Sequence, residues 1–366
     1  MRIAIIGCGP AGCFAALNFL SLGYDAIKIF EKRENIFNPK VRCSGLISIS
    51  GINRIGFPLK KSVILNEVRG AKLHSPSGIE VEIDAKKEKA YVLDRKAFDV
   101  YLLEKLLSKN VEIEKKNIRA RDLRKILAEN SKVVIATGTN YLLHNSLGLD
   151  KPWDFLIGAQ YELKLETDPD FVELYFNVKD FFSWVIPVDE STARVGVCTR
   201  GDAISYLKKF VKKLERDSRL KSKKILDRHY GVIPIHDPKI RTEYSFKDSE
   251  ILLLGDAASQ VKASTGGGII MTGIAAKYVA ENYERKWRGE IGKELKLHLM
   301  IHNFLRKLSD KNKDRLFLLL RGNEHLLEKN GDMDFASKTL VALAKSPKFL
   351  MRFVKEIPNF AFDLLS

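Results

Sequence analysis

Three glycines and an acid make up the first chemistry-bearing pattern of the chain. Gly7, Gly9 and Gly12 stand in the run Ile6-Gly7-Cys8-Gly9-Pro10-Ala11-Gly12, and Glu31 follows nineteen residues after the last of them. The apolar run Ile3-Ala4-Ile5-Ile6 reads as a strand before the turn, and the residues after it read as a helix. This arrangement suits a dinucleotide. Gly7 permits a tight turn, Gly9 lets the backbone approach a pyrophosphate, and Gly12 lets the helix pack closely on the strand. The N–H groups of the helix start, from Ala11 on, face the phosphates. Glu31 closes a second strand, 26–31, where it accepts hydrogen bonds from a ribose diol, with Lys32 beside it.

Two later segments point to FAD rather than NAD. The strand Ile251-Leu252-Leu253-Leu254 ends in Gly255-Asp256, and a helix start follows. An aspartate there binds a ribityl hydroxyl while the helix N-terminus faces the flavin. The strand 132–135 ends in the small residues Ala136-Thr137-Gly138, near a nucleotide. A third segment, Thr265-Gly266-Gly267-Gly268-Ile269, opens a helix expected to run from Ile270 to Glu284. Its bare backbone lets a flat ligand approach, and its N–H groups face a carbonyl or a phosphate.

These motifs resemble FAD-dependent oxidoreductases of the p-hydroxybenzoate hydroxylase fold over most of residues 1–285. The Gly-Asp-Ala-Ala segment followed by Thr-Gly-Gly-Gly-Ile is similar to the geranylgeranyl reductase family, flavoproteins that saturate isoprenoid double bonds, including those of archaeal membrane lipids. That family usually carries Gly at the place of Ser259 and Pro at the place of Ala263. Its Pro-x-x-Tyr-x-Trp-x-Phe-Pro segment lines the substrate cavity. The corresponding stretch here is Lys179 to Pro187, in which Trp184 and Pro187 match while Phe182 and Ile186 keep the apolar character. The resemblance implies that Phe182, Trp184, Ile186 and Pro187 bind a polyprenyl chain, whose burial yields about 25 cal/mol per Å². It also places Cys43-Ser44-Gly45 close to the flavin. There the Cys43 thiol would donate a proton to an alkene carbon as flavin delivers hydride, and the alternative is a structural thiol. Arg42 faces the pyrophosphate or solvent. Arg95 resembles an arginine that contacts FAD in this fold.

The elements that must position these residues follow from periodicity. Residues 68–93 read as short strands about a Ser75-Pro76-Ser77-Gly78 turn, and Asp94 caps a helix over 94–103. Residues 155–200 alternate as antiparallel strands, a basic helix covers about 202–217 with a Lys-rich stretch to Lys224, and 290–366 reads as helical. The fold class is α/β (α+β overall): a Rossmann-type FAD-binding domain with an inserted antiparallel-sheet substrate domain and a helical C-terminal region. The FAD domain takes 1–67, 94–152 and 245–288. The substrate domain takes 68–93 and 153–244, and the helical region takes 289–366.

Composition bounds the partners. Gln160 and Gln260 are the two glutamines amid abundant Lys, Glu and Ile, a bias typical of hyperthermophile proteins. The net charge of +16 suits an anionic partner, such as a membrane surface or an acidic electron carrier, or a solvated Lys-rich surface. No nucleic-acid motif accompanies it. No apolar run approaches the ~18 residues of a membrane span, and none of Cys8, Cys13, Cys43 and Cys198 forms a C-x-x-C pair. The expected location is cytoplasmic, at most peripheral to a membrane. His298 and His302, four apart, are expected on a solvated helix face without a metal. With no second G-x-G-x-x-G, electrons come from NAD(P)H bound transiently or from a ferredoxin. The function expected is FAD-dependent saturation of geranylgeranyl C=C bonds in archaeal-type membrane lipid precursors. The alternatives are a flavin-dependent monooxygenase or halogenase of the same fold and a non-catalytic lipid-binding protein.

Overall fold

A computed structural model describes residues 1–365. Three sheets organise it. The first has six strands in the order Glu243–Phe246, Ser249–Leu253, Lys132–Ile135, Ile3–Ile6, Ile27–Glu31 and Glu112–Lys115. All its pairs are parallel except the first. Ile3–Ile6 and Lys132–Ile135 are buried throughout, as central strands covered on both faces must be. Helices Pro10–Ser21, Arg95–Leu107 and Ile269–Ala276 cover one face through Phe14, Leu102 and Ile274, and Ala120–Glu129 covers the other through Leu123, Ile126 and Leu127. This is the doubly wound arrangement expected, in which ligands sit beyond the C-terminal ends of the strands.

The second sheet has seven strands, in the order Leu220–Pro234, Phe155–Leu165, Thr192–Thr199, Ser183–Asp189, Phe171–Tyr175, Gly70–His74 and Glu80–Asp84. It is antiparallel but for the pair Phe171–Tyr175 and Gly70–His74. The amphipathic helix Ala203–Arg216, capped by Asp202, buries Leu207, Phe210 and Leu214 on Val185, Val195 and neighbours. The other face of this sheet is left to line a cavity. A small third sheet of Leu46–Ser48, Ala90–Leu93 and Ile64–Val68 joins the two larger ones.

Three local expectations change. The Lys-rich stretch to Lys224 is the start of a fifteen-residue edge strand, Leu220–Pro234, whose lysines point to solvent. Edge strands use such charges to discourage further pairing, which masks their periodicity. The helix after the triple glycine ends at Ala276, and a turn reaching Asn282 at φ 49° separates it from Tyr283–Trp287. Gly255–Ala258 is a single 3₁₀ turn closed by Ser259 at φ 50°. No helix among the described residues is long and apolar enough to cross a membrane.

His298 and His302 are buried rather than solvated. His298 Nε2 donates to the Asp334 carbonyl at 3.1 Å and Nδ1 accepts from Ser264 Oγ at 2.6 Å, while His302 Nε2 accepts from Arg200 Nη2 at 3.3 Å. Burial, helped by Lys262 for His298 and by Arg200 for His302, pushes both down to about 4. Each is neutral when folded and titrates near 6.5 when unfolded. Their contribution to stability is complete above pH 6.5 and is lost progressively as pH falls towards 4, by on the order of 2 kcal/mol per histidine at pH 5. Denaturant titrations at pH 7.5 and pH 5 should show this loss, and a His298→Asn/His302→Gln variant should lose correspondingly less between the two. An equal drop in both proteins would assign the acid sensitivity to other groups.

Candidate active site

One cavity of about 1880 Å³ lies between the C-terminal edge of the parallel sheet, the uncovered face of the seven-stranded sheet and the segment 327–339. Its first wall is the glycine turn. Gly7 holds φ +107°, and a Cβ there would lie 2.4 Å from the Ala136 carbonyl oxygen. Gly12 does not line the cavity, because it is pressed against the strand, where a Cβ would come within 1.9 Å of Gly7 O. Gly9 differs from both. A Cβ on it would meet nothing within 4 Å, so the bare backbone faces open cavity beside Pro10 and Ala11.

Glu31 ends its strand at the same wall. Its Oε2 accepts from Cys8 N at 2.8 Å, and Oε1 accepts from Arg33 N at 2.9 Å. Burial opposes its ionisation, but the Arg33 guanidinium and these N–H groups outweigh it and hold Glu31 below the usual carboxylate range. Arg33 also donates to Cys8 O at 2.7 Å, so it fixes both the acid and the turn. Lys32, Arg42, Ser44, Ala136, Thr137 and Gly138 line the cavity as well, and the space around Gly138 is open.

Further along the same wall lie Arg95, Asp256 and Cys43. Asp94 caps the helix Arg95–Leu107 through Lys96 N and Ala97 N, which sets Arg95 on the cavity. Arg95 is buried, donates to Asp99 at 2.8 Å and approaches Cys43, yet its Nε has no partner. Among the described residues nothing hydrogen-bonds the Asp256 carboxylate; burial raises it to about 6, against the pull of Arg95. Cys43 is half-buried, with Sγ accepting from Gly45 N at 3.4 Å. Gly45 stays behind the wall at φ +84°, where a Cβ would strike Arg194 Nη1 at 2.4 Å. That guanidinium donates to Ser44 O at 2.7 Å and Leu93 O at 2.9 Å and pins the cysteine loop. Gly255, Gly267, Gly268 and Ile269 complete this side.

The opposite wall is apolar. Phe182, Trp184 and Ile186 line it, while Pro187 lies behind, its carbonyl accepting from Asn66. Trp184 lies flat on the sheet because Gly196 leaves room, and a Cβ there would come within 2.2 Å of the indole. Its Nε1 donates to Gln160 Oε1 at 3.0 Å, so the half-buried ring has its N–H satisfied. Phe181 and Phe182 stack at 4.1 Å.

No protein-family model matches the chain. Digeranylgeranylglycerophospholipid reductase of Methanocaldococcus jannaschii is 30% identical over 86% of this chain and 89% of its own length. The chain belongs to the digeranylgeranylglycerophospholipid reductase family. Digeranylgeranylglycerophospholipid reductase 2 of Methanothermobacter thermautotrophicus is 27% identical, covering 97% of this chain and 99% of its own. Among solved structures, a geranylgeranyl bacteriochlorophyll reductase-like protein from Thermoplasma acidophilum superposes with a TM-score of 0.77 over 98% of both chains at 22% identity. The flavin-dependent brominase Bmp2 shares the fold, with a TM-score of 0.60 at 16% identity over 98% of this chain and 99% of its own. As a member of this reductase family, the chain is an FAD-dependent oxidoreductase acting on carbon–carbon double bonds.

Features without a local sequence signal complete the cavity. The segment 327–339 forms part of the cavity wall, and it is held by charge. Asp334 is buried and takes Lys262 Nζ and Ser48 Oγ. Lys262 also donates to Met333 O at 2.9 Å and reaches the glycine loop, within 3.1 Å of where a Gly267 Cβ would stand. Arg33, Arg194 and Lys262 carried no sequence signal beyond their charge. Their partners lie 2 to 150 residues away.

Proposed function

We propose that this chain saturates C=C bonds of geranylgeranyl chains on archaeal-type membrane lipid precursors, with Cys43 as the proton donor. The observation that carries this is the continuity of one cavity from the open Gly9 turn to the Trp184 wall, with Cys43 on its surface. The residues present suit FAD. Gly9 and Gly138 leave room for close approach by a ligand, Glu31 is held ionised for a diol, and the unpartnered Arg95 Nε and Asp256 carboxylate await polar partners. Gly7, Ala11, Gly12, Lys32, Arg42, Ser44, Gly45, Ala136, Thr137, Gly255, Gly267, Gly268 and Ile269 support the same group by contact or by shaping the loops.

FAD, when bound, supplies the hydride. The protein supplies the remainder. The apolar wall of Phe182, Trp184 and Ile186, backed by Pro187, excludes water and holds the prenyl chain, at about 25 cal/mol for each Å² buried. Cys43 Sγ is held by Gly45 N and the Arg194-pinned loop, so that its proton can pass to an alkene carbon. An isolated alkene is a poor electrophile, which makes concerted delivery of a proton the economical route. The source of electrons is NAD(P)H or a ferredoxin; the +16 charge favours an acidic ferredoxin.

Incubation of lipid extracts with dithionite-reduced protein should raise the mass of geranylgeranyl lipids by two hydrogens per bond, read by mass spectrometry. Unshifted masses with fully reduced flavin would refute the reaction. Asp256 provides a separate check. A hydrogen bond to a charged acceptor contributes about 1.5–3 kcal/mol. Asp256→Ala should therefore bind flavin roughly 10- to 150-fold more weakly and purify substoichiometric in it. Full occupancy after dilution would remove Asp256 from the cofactor site.

A further inference from the structure

The helix Pro347–Leu365 has two apolar stripes where packing needs one. Phe349, Phe353 and Phe360 turn inward onto Leu308, Leu319 and Leu343. That stripe anchors the helix. A second stripe of Leu350, Met351, Val354, Ile357, Phe362 and Leu365 faces outward, with Met351 at 65%, Val354 at 59%, Phe362 at 75% and Leu365 at 89% exposure. At 100° per residue these side chains cover an arc of about 140°, wider than a core-facing stripe requires. Lys348, Arg352 and Lys355 run along one edge of the arc. The acids of the helix lie on the other side, where Glu356 meets Asn359 and Asp363 accepts from Ser309.

We propose that this outward face seats the protein on the anionic surface of a lipid bilayer, the apolar side chains entering the head-group boundary and Lys348 and Lys355 meeting phosphates. An apolar arc flanked by cations is the composition of a helix lying in a membrane interface, where it sinks about 5–10 Å. A second copy of the chain is a poor occupant. Two copies meeting face to face would oppose the same cationic edges, and each carries a net charge of +16. The preceding helix, Ala336–Ala344, places Lys338 and Thr339 in the cavity wall and exposes Leu340 and Val341. A single helix of roughly 14 Å therefore links the cavity rim to the seated face. The inference deepens the lipid-substrate reading by stating how the chain reaches a substrate that stays in its membrane.

The test is flotation of the flavin-loaded protein with vesicles of phosphatidylglycerol or of phosphatidylcholine at several salt concentrations. The protein should float with the anionic vesicles and release as salt screens the charges. Val354→Asp/Phe362→Asp should weaken binding at least ~10-fold, and Lys348→Glu/Lys355→Glu should abolish the anionic preference, a loss of about tenfold or more. Flavin occupancy and dithionite-driven reduction of a detergent-solubilised prenyl alcohol should match the parent, which separates lost docking from misfolding. Undiminished flotation of Val354→Asp/Phe362→Asp would overturn the proposal. So would sedimentation of the parent as a dimer that this variant splits, because a second copy would then cover the face. Flotation that persists while no alkene is reduced would support docking and refute the reaction instead.

Discussion

Replacing Cys43 by alanine should leave flavin bound and reducible yet slow alkene saturation by ~10²-fold or more, the usual effect of losing a general acid. The reasoning is geometric. Cys43 lines the cavity from a loop whose backbone is held by Arg194, and the thiol itself meets a weak contact from Gly45 N and the approach of Arg95. Removing Sγ therefore deletes a proton and little structure. The rate should be read in single turnover with chemically reduced flavin, so that the electron-donor step cannot imitate the defect. Arg194→Met gives the complementary result. It frees Ser44 O and Leu93 O, so the loop loses its position and flavin occupancy should fall along with rate. An unchanged single-turnover rate in Cys43→Ala would move the proton source to water or another side chain. Loss of flavin would make the thiol structural.

The second large effect is on folding. Lys262→Met should destabilise the protein by about 3–5 kcal/mol, because it leaves the Asp334 carboxylate buried without its cation. Ser48 Oγ alone would then serve that carboxylate. Lys262→Met/Asp334→Asn should recover much of the loss, since the uncompensated charge is gone. Denaturant unfolding of the parent, both single variants and the double variant gives the coupling directly. A loss below about 1 kcal/mol in Lys262→Met would show that water reaches Asp334 and that the pair does not hold the segment 327–339. Flavin release at lower denaturant than global unfolding would place the first opening at this segment.

What could be read from sequence was local. Gly7, Gly12 and Glu31 act through neighbours at short separation or through adjacent strands, so spacing alone gave the turn, the close helix packing and the strand end. The cap at Asp94 and the helix at Ala203–Arg216 are equally local. Trp184 was found through its family segment, but not the Gly196 backbone that receives it, since a cross-strand partner depends on register. His298 and His302 are buried where a solvated face is expected, because periodicity shows that two residues share a face, not what packs on it. Here Ser264, Asp334 and Arg200 do. The same holds for Lys262, whose partner lies 72 residues on. A charge that will be buried looks like any other charge until its counterion arrives.

The bond between Ser48 and Asp334 spans 286 residues. Synthesis at roughly 5–20 residues per second leaves about 15–60 s between the emergence of its two ends. The chain completes the seven-stranded sheet only at Pro234, so about 100 residues, or roughly 5–20 s of synthesis, separate the finished aromatic face from the segment that walls the cavity. The nascent chain can thus present a half-built apolar trough for roughly 5–20 s. A cofactor or a chaperone that reaches this trough meets a site with one wall missing, whereas one arriving later meets the cavity with the segment 327–339 in place.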